Sequence, residues 1–367
     1  MDIHDYAESK RLSLRQVLDF TSSVNPLGPS NKAKNAIRKS IKFLEFPSDE
    51  KIRYLKRYIC KQEQIEEGCI IFGQGSSSLL HSLLKATEPK TILLVSPVSK
   101  RYRDILNHYR MDIQLFPVEE KYPPQFSIDI TGLIDRLKTV DMVILPNPHD
   151  VTGAIMPAEN LGYLIEATEK TGKILVIDER YMDFAPYRSF VKLVTESQNT
   201  LILRTFSVFH ALKGLPLGYG AGSPALMKKL SDNLIPPQGN ALVYAAAIVS
   251  LKDKGHKTRT MKLVKEEKEY FIEKLKQIDG LQTFDTACNF LFLKIERQIP
   301  DLANLFIKYH IIIDKYSSES SGTYLKVPLK RHKLNAQFIK TLKNILKTYR
   351  QKTFDSNTSQ HIFGSDA

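Results

Sequence analysis

Cysteine is scarce. Cys60, Cys69 and Cys288 are the only three in 367 residues, too few and too scattered for a disulfide framework or a zinc site. None of the nine histidines pairs with another at metal-ligand spacing, so no metal is assigned. Long apolar runs are also missing, since none reaches the ~18–20 residues of a membrane span. The opening MDIHDYAESKRL is charged where a signal peptide carries its apolar core. No repeat, zinc finger, helix-turn-helix or aromatic–basic ribonucleoprotein signature is visible. These absences point to a soluble, cytoplasmic protein with no membrane partner.

What is present begins with 42% hydrophobic residues, enough for the core of one large domain or two moderate ones. The formal charge of +13 raises the question of nucleic acid or phosphate partners. Its lysines are spread along 254–276 and 326–352, interleaved with glutamates in the first stretch. That distribution describes a solvated helical surface, and nucleic acid is not the expected partner.

From residue 70 to about 225, short apolar runs alternate with amphipathic stretches. Ile70–Phe72, Thr91–Val95, Ile113–Phe116, Met142–Leu145, Ile174–Ile177 and Leu201–Arg204 are near-continuous apolar runs, as in strands buried on both faces. Helical periodicity lies between them at 76–87, 99–110, 130–138 and 158–171. The alternation predicts an α/β domain with a mainly parallel sheet, whose ligand loops follow the carboxyl ends of the strands. After about 245 a long charged helix (253–277) precedes apolar runs at Phe290–Ile295, Ile311–Asp314 and Tyr324–Val327 and a helix at 333–349, which suggests a smaller α+β domain. The boundaries read as an N-terminal arm (1–30), a large domain (31–245), a small C-terminal domain (246–352) and a polar, unpatterned tail (353–367) expected to be disordered.

Several segments, in order, carry a resemblance. LDFTSSVNPLGPS (18–30), FGQGSSSLLHSLLKA (72–86), LPNPHDVTG (145–153), VIDERYMDF (176–184) and LRTFSVFHALKGLPLGYG (203–220) are followed by NFLFLKI (289–295) and YLKVPL (324–329). Together they resemble the threonine-phosphate decarboxylases and histidinol-phosphate aminotransferases, pyridoxal-phosphate (PLP) enzymes of the aspartate-aminotransferase-like fold. The resemblance covers residues 15–350. It implies an aspartate-aminotransferase-like large domain, a smaller α+β domain and a homodimer.

It also implies a set of site positions. The family's lysine, which holds PLP as a Schiff base, falls at Val208, and valine has no nitrogen with which to form an imine. His210 and Lys213 are the nearest substitutes, neither expected to point where position 208 points. The phosphate-clamping arginine falls at Pro216, the ring-stacking aromatic at Ser99, and the asparagine beside the ring oxygen at Asp150. The tyrosine lent by a neighbouring subunit becomes Phe46, the acidic residue after the glycine turn becomes Ser78, and the substrate-gripping arginine becomes Lys326. Retained are Asp178, the partner of the pyridine nitrogen, with Tyr181 of the same motif and Asn25 of the arm. Gly75, Ser76 and Ser77 at a helix start, with Thr205 and Ser207, would form a cup for the cofactor phosphate.

Blander roles stand beside these. Asp178 at a strand end is also a common loop anchor, Gly73 and Gly75 are ordinary turn residues, the serines at 76–78 suit an N-cap, and Tyr181 packs as readily as it hydrogen-bonds. Positions with backbone roles persist, while side chains that would touch the cofactor are mostly replaced. The pattern predicts a pseudoenzyme, a binding or scaffolding homologue for which the resemblance allows PLP or pyridoxamine phosphate (PMP) but a covalent PLP link is not expected. The alternative is a PLP- or PMP-dependent transaminase or amino-acid-phosphate decarboxylase-like enzyme of altered mechanism, and a small phosphorylated ligand is the expected small-molecule partner.

Overall fold

A computed structural model describes residues 3–122, 124–234, 241–299, 301–318 and 322–361. The chain divides into two compact units. The larger combines Val24–Lys262 with Phe284–Leu291. Its seven-stranded sheet comprises β1 (Ile70–Gly73), β2 (Thr91–Ser96), β3 (Asp112–Pro117), β4 (Met142–Pro146), β5 (Ile174–Asp178), β6 (Thr200–Thr205) and β7 (Gly218–Ala221). The lateral order is β1-β7-β6-β5-β4-β2-β3. β7 runs antiparallel to both of its neighbours and every other pairing is parallel. All six apolar runs read as strands lie in this sheet, each extended by no more than one residue at an end.

Side chains alternate between the faces of a strand, and on every strand of this sheet except the edge strand β3 both faces are covered. Leu93, Val95, Val143, Leu145, Leu175 and Ile177 enter one apolar core, shared with Leu161 and Leu164 of the helix Ala158–Thr171. Ile92, Leu94, Met142, Ile144, Val176 and Leu203 enter the other, against Leu79, Leu80 and Leu83 of the helix Gly75–Thr87. Because neither of their faces meets water, β1, β2, β4, β5 and β6 read as near-continuous hydrophobic runs, whereas β3 lies exposed at the edge.

The seventh strand has no such run. GYGA contains two glycines, and at Gly218 a Cβ would lie 2.6 Å from the Ser76 nitrogen and 2.7 Å from the Arg204 carbonyl oxygen. Only glycine lets β7 pass this close to the start of the helix Gly75–Thr87.

The winding reverses between β2 and β4. From β2 the chain adds β3 on one side, then crosses to place β4, β5 and β6 in succession on the other. The carboxyl ends Ser96, Pro146 and Asp178 therefore flank a topological switch point, where open α/β sheets bind ligands.

The smaller unit combines Met1–Ser23, Leu263–Thr283 and Phe292–Ala367. Most of its residues in strands belong to a five-stranded sheet in the order Leu18–Phe20, Ile311–Ser318, Gly322–Pro328, Phe290–Ile295, Leu281–Phe284. Part of the segment read as an arm thus supplies an edge strand, parallel to Ile311–Ser318. Lys326 is buried in the Gly322–Pro328 strand, in register with Asp314. The last helix spans His332–His361, so residues 353–361 of the segment read as a tail continue it, and 362–367 lie outside the described residues. No helix among the described residues is long and apolar enough to cross a membrane.

Candidate functional site

Four chain segments meet at the switch point. β1 turns through Gln74 into the helix Gly75–Thr87, whose first turn carries Ser76 and Ser77. Gly75 takes a φ of +79°, which a side chain would oppose. β2 leads through Pro97 and Ser99 into the helix Lys100–Leu106, placing Arg101 and Tyr102 in its first turn. β4 ends in the Asn147–Asp150 turn, and β5 ends on Asp178 itself.

Arg101 joins these segments. Its Nη1 donates to Asp178 Oδ2 at 2.7 Å, its Nη2 to Ser76 Oγ at 3.0 Å and its Nε to Ser77 Oγ at 3.1 Å. One planar guanidinium therefore spans from the strand-end carboxylate to the hydroxyls at the helix start, a use of its fork that lysine could not reproduce. The Asp178 side chain is fully buried and that of Arg101 is 14% exposed. Tyr102 adds a second donor to Oδ2 at 2.7 Å, and the Arg180 amide reaches Oδ1 at 3.1 Å. Both carboxylate oxygens are thus engaged.

Burial alone would lower the Arg101 pKa, but the Asp178 carboxylate, with Tyr102 and Asp150 behind it, outweighs this and raises it. Tyr102 is pushed well above its ordinary value, by burial first and the Asp178 charge second. The guanidinium stays charged and the phenol neutral, so the buried side chain of Asp178 faces one cation and one neutral donor.

The other predicted site residues divide. Asp150 is buried in the turn after β4 and is a charged neighbour of Arg101. Ser99 leads into the Arg101 helix, and its Oγ is buried without a hydrogen-bond partner among the described residues. Ser78 bonds back to the Gly75 carbonyl, and Pro216 lies beside Gly75 at the same turn. Thr205 Oγ1 accepts from the Ser207 amide at 3.1 Å and donates to Leu217 at 3.5 Å, so it serves its own turn. Tyr181 packs edge-on against Phe290, with ring centroids 5.4 Å apart.

Asn25 is structural in its contacts. Its amide nitrogen donates to the Phe209 carbonyl at 2.8 Å and to Thr260 Oγ1 at 2.9 Å, while its backbone nitrogen donates to the Val208 carbonyl at 3.0 Å. Val208 is buried with an aliphatic side chain, and Lys213 is exposed. Phe46 is exposed.

His210 belongs to a different cluster, centred on Arg204. Arg204 donates to Glu179 Oε2 at 3.0 Å and to Asp183 Oδ1 at 2.8 Å. Burial raises the Glu179 pKa despite Arg204, whereas at Asp183 the charges of Arg204, His210 and Lys257 outweigh burial and lower it. Burial also drives His210 down to about 4 although Asp183 pulls the other way, so the ring is neutral near pH 7. A cleft of about 380 Å³ opens beside this cluster, lined by Glu63, Asp183, Arg188, Arg204 and Lys257 among others. No group of three His, Cys, Asp or Glu side chains suited to a metal occurs among the described residues.

Arg101 is the residue that sequence reasoning missed. Its only local signal is a cation two positions after the serine that replaces an aromatic, in PVSKRY.

Comparisons with known proteins agree with the architecture. The family model described as aminotransferase class I and II matches residues 16–327. The threonine-phosphate decarboxylase of Salmonella typhimurium is 24% identical over 350 residues, covering 94% of this chain and 95% of its own. The histidinol-phosphate aminotransferase structure from Clostridium acetobutylicum superposes with a TM-score of 0.80 at 25% identity, over 90% of this chain and all of its own. That from Sinorhizobium meliloti in complex with pyridoxal-5′-phosphate reaches a TM-score of 0.83 at 17% identity, over 94% and 95% of the two chains, a likeness of fold.

Proposed function

Since the chain belongs to the class I and II aminotransferase family, we propose that it is a non-catalytic member, a binding or scaffolding homologue that keeps the family's fold without covalent PLP chemistry. The observation that carries this reading is the Arg101–Asp178 ion pair, with Ser76 and Ser77 on the same guanidinium. PLP, when bound, supplies an electron sink for reactions at an amino-acid carbon, provided that a protein amine can hold and release it. The residues here do not fit that group. Asp178 already has its cationic partner, the Arg101 guanidinium fills the span from it to the helix-start serines, and the aliphatic Val208 stands at the position that the resemblance gives to the lysine.

An enzyme of altered mechanism is less well supported. Its acid–base candidates are His210, which is grouped with Arg204 and Asp183, and Lys213, which is exposed. A small phosphorylated ligand would be consistent with the names of the relatives.

We place the protein in the cytoplasm as a homodimer. Ile41, Phe43, Leu44 and Phe46 are 53%, 42%, 59% and 59% exposed within six residues, an apolar cluster that a second copy would cover.

The test is incubation with PLP, borohydride reduction and peptide mass spectrometry. No stoichiometric, site-specific adduct is expected. A single reduced adduct together with turnover of an amino-acid substrate would overturn the reading.

A further inference from the structure

We propose that Arg101 is a built-in substitute for the cofactor. Its guanidinium supplies the positive charge that Asp178 requires and engages the Ser76 and Ser77 hydroxyls, closing the site to PLP without any bound ligand. The inference rests on the family membership above, and it adds a residue that the resemblance does not assign.

A carboxylate with no exposed surface at a strand end is costly unless a cation and hydrogen-bond donors surround it. In a site built around a bound cationic ring the ligand would meet that need, leaving the empty protein with an unsatisfied charge. Here Arg101 meets it from within the chain, and Tyr102 and the Arg180 amide complete the shell.

The same side chain reaches the helix start and occupies the space in front of it. At that end the two hydroxyls accept from the cation, so the guanidinium spans the whole distance from Asp178 to Ser76 and Ser77. One group therefore satisfies the carboxylate end of the site and fills the span to its hydroxyl end. Pyridoxal phosphate could enter only by displacing it.

Displacement in turn would have to overcome the ion pair. Arg101 is held on its other side by the first turn of its own helix, with its guanidinium carbon 4.9 Å from the centre of the Tyr102 ring. Nothing in this arrangement depends on position 208, so restoring a lysine there would not by itself reopen the site.

The experiment compares thermal midpoints of the full-length protein, Arg101→Met and Arg101→Met/Asp178→Asn, each with and without saturating PLP. Arg101→Met should lower the midpoint by on the order of 10 °C, because it strands a buried carboxylate. The double variant should recover more than half of that loss. PLP should leave the wild-type midpoint unchanged and raise that of Arg101→Met by several degrees, with the gain absent from the double variant. Should Arg101→Met not fold while the double variant does, the counter-charge role is upheld, and failure of both overturns it. The proposal is also overturned if PLP stabilises the wild type as much as Arg101→Met, or if it fails to stabilise Arg101→Met once folded. Wild-type binding without a reducible adduct would sink this inference and leave the non-catalytic reading standing, whereas an adduct with turnover would sink that reading itself.

Discussion

The Tyr102 hydroxyl donates to Asp178 Oδ2 at 2.7 Å, the same oxygen that takes the Arg101 guanidinium. Both donors come from consecutive residues at the start of one seven-residue helix, so the loop after β2 closes over the end of β5. Tyr102→Phe removes a hydrogen bond to a buried charge while preserving the ring. A loss of about 1.5–3 kcal/mol in urea-unfolding free energy is expected. A change within error would mean that Arg101 alone satisfies that oxygen.

Arg204 should be the costliest of the buried cations to remove after Arg101. Arg204→Met leaves Glu179 without its cation, and a loss of about 3–5 kcal/mol is expected from the denaturation midpoint. Adding Glu179→Gln should restore part of it, since the glutamine can still meet Ser189 and the Phe190 amide. Strictly additive losses in the double variant would show that the two residues do not act as a pair.

His210 gives stability a dependence on acid. Its folded-state pKa of about 4 lies below the ordinary 6.5, so the unfolded chain takes up a proton first. The contribution is complete above pH 6.5 and is lost as pH falls toward 4. The loss is about 2 kcal/mol between pH 7 and pH 5. Urea titrations at the two pH values should show it, and His210→Gln should flatten the slope. An equal slope in the variant would assign the effect to other groups.

Gly218→Ala tests the crossing of β7 over the helix start. The added Cβ would meet backbone atoms of Ser76, Arg204 and Gly75 at 2.6–2.8 Å, none of which can rotate away. A destabilisation of about 1–3 kcal/mol or more is expected. Circular-dichroism melting measures it, and an unchanged midpoint would mean that the helix shifts freely.

The exposed apolar cluster predicts the oligomeric state. Sedimentation should find the wild type as a dimer and Leu44→Asp/Phe46→Asp as a folded monomer. A wild type that is monomeric at micromolar concentration would remove the homodimer from the proposal.

Much of the fold was legible because burial on two faces leaves a near-continuous apolar run, and five of the seven strands of the large sheet carry one for that reason. β7 was not legible, since its glycines answer to the backbone packed against it and leave no pattern along the chain. Asp178 stood out through its motif and its place at a strand end. Asn25 stood out equally, yet its amide contacts are the Phe209 carbonyl and Thr260, part of the local packing.

What the sequence by itself determined is the α/β class, the order of the elements, the carboxylate at the end of β5 and the lack of an amine at position 208. Tertiary structure alone decided what that carboxylate is paired with. Arg101 lies 77 residues from Asp178 and about 25 from the two serines, and in a short lysine- and arginine-rich helix it reads as one more solvated charge. Local sequence reports which side chains share a face. Only folding the sheet brings the ends of β1, β2 and β5 together, and only then does a long flexible cation find a buried carboxylate within its reach.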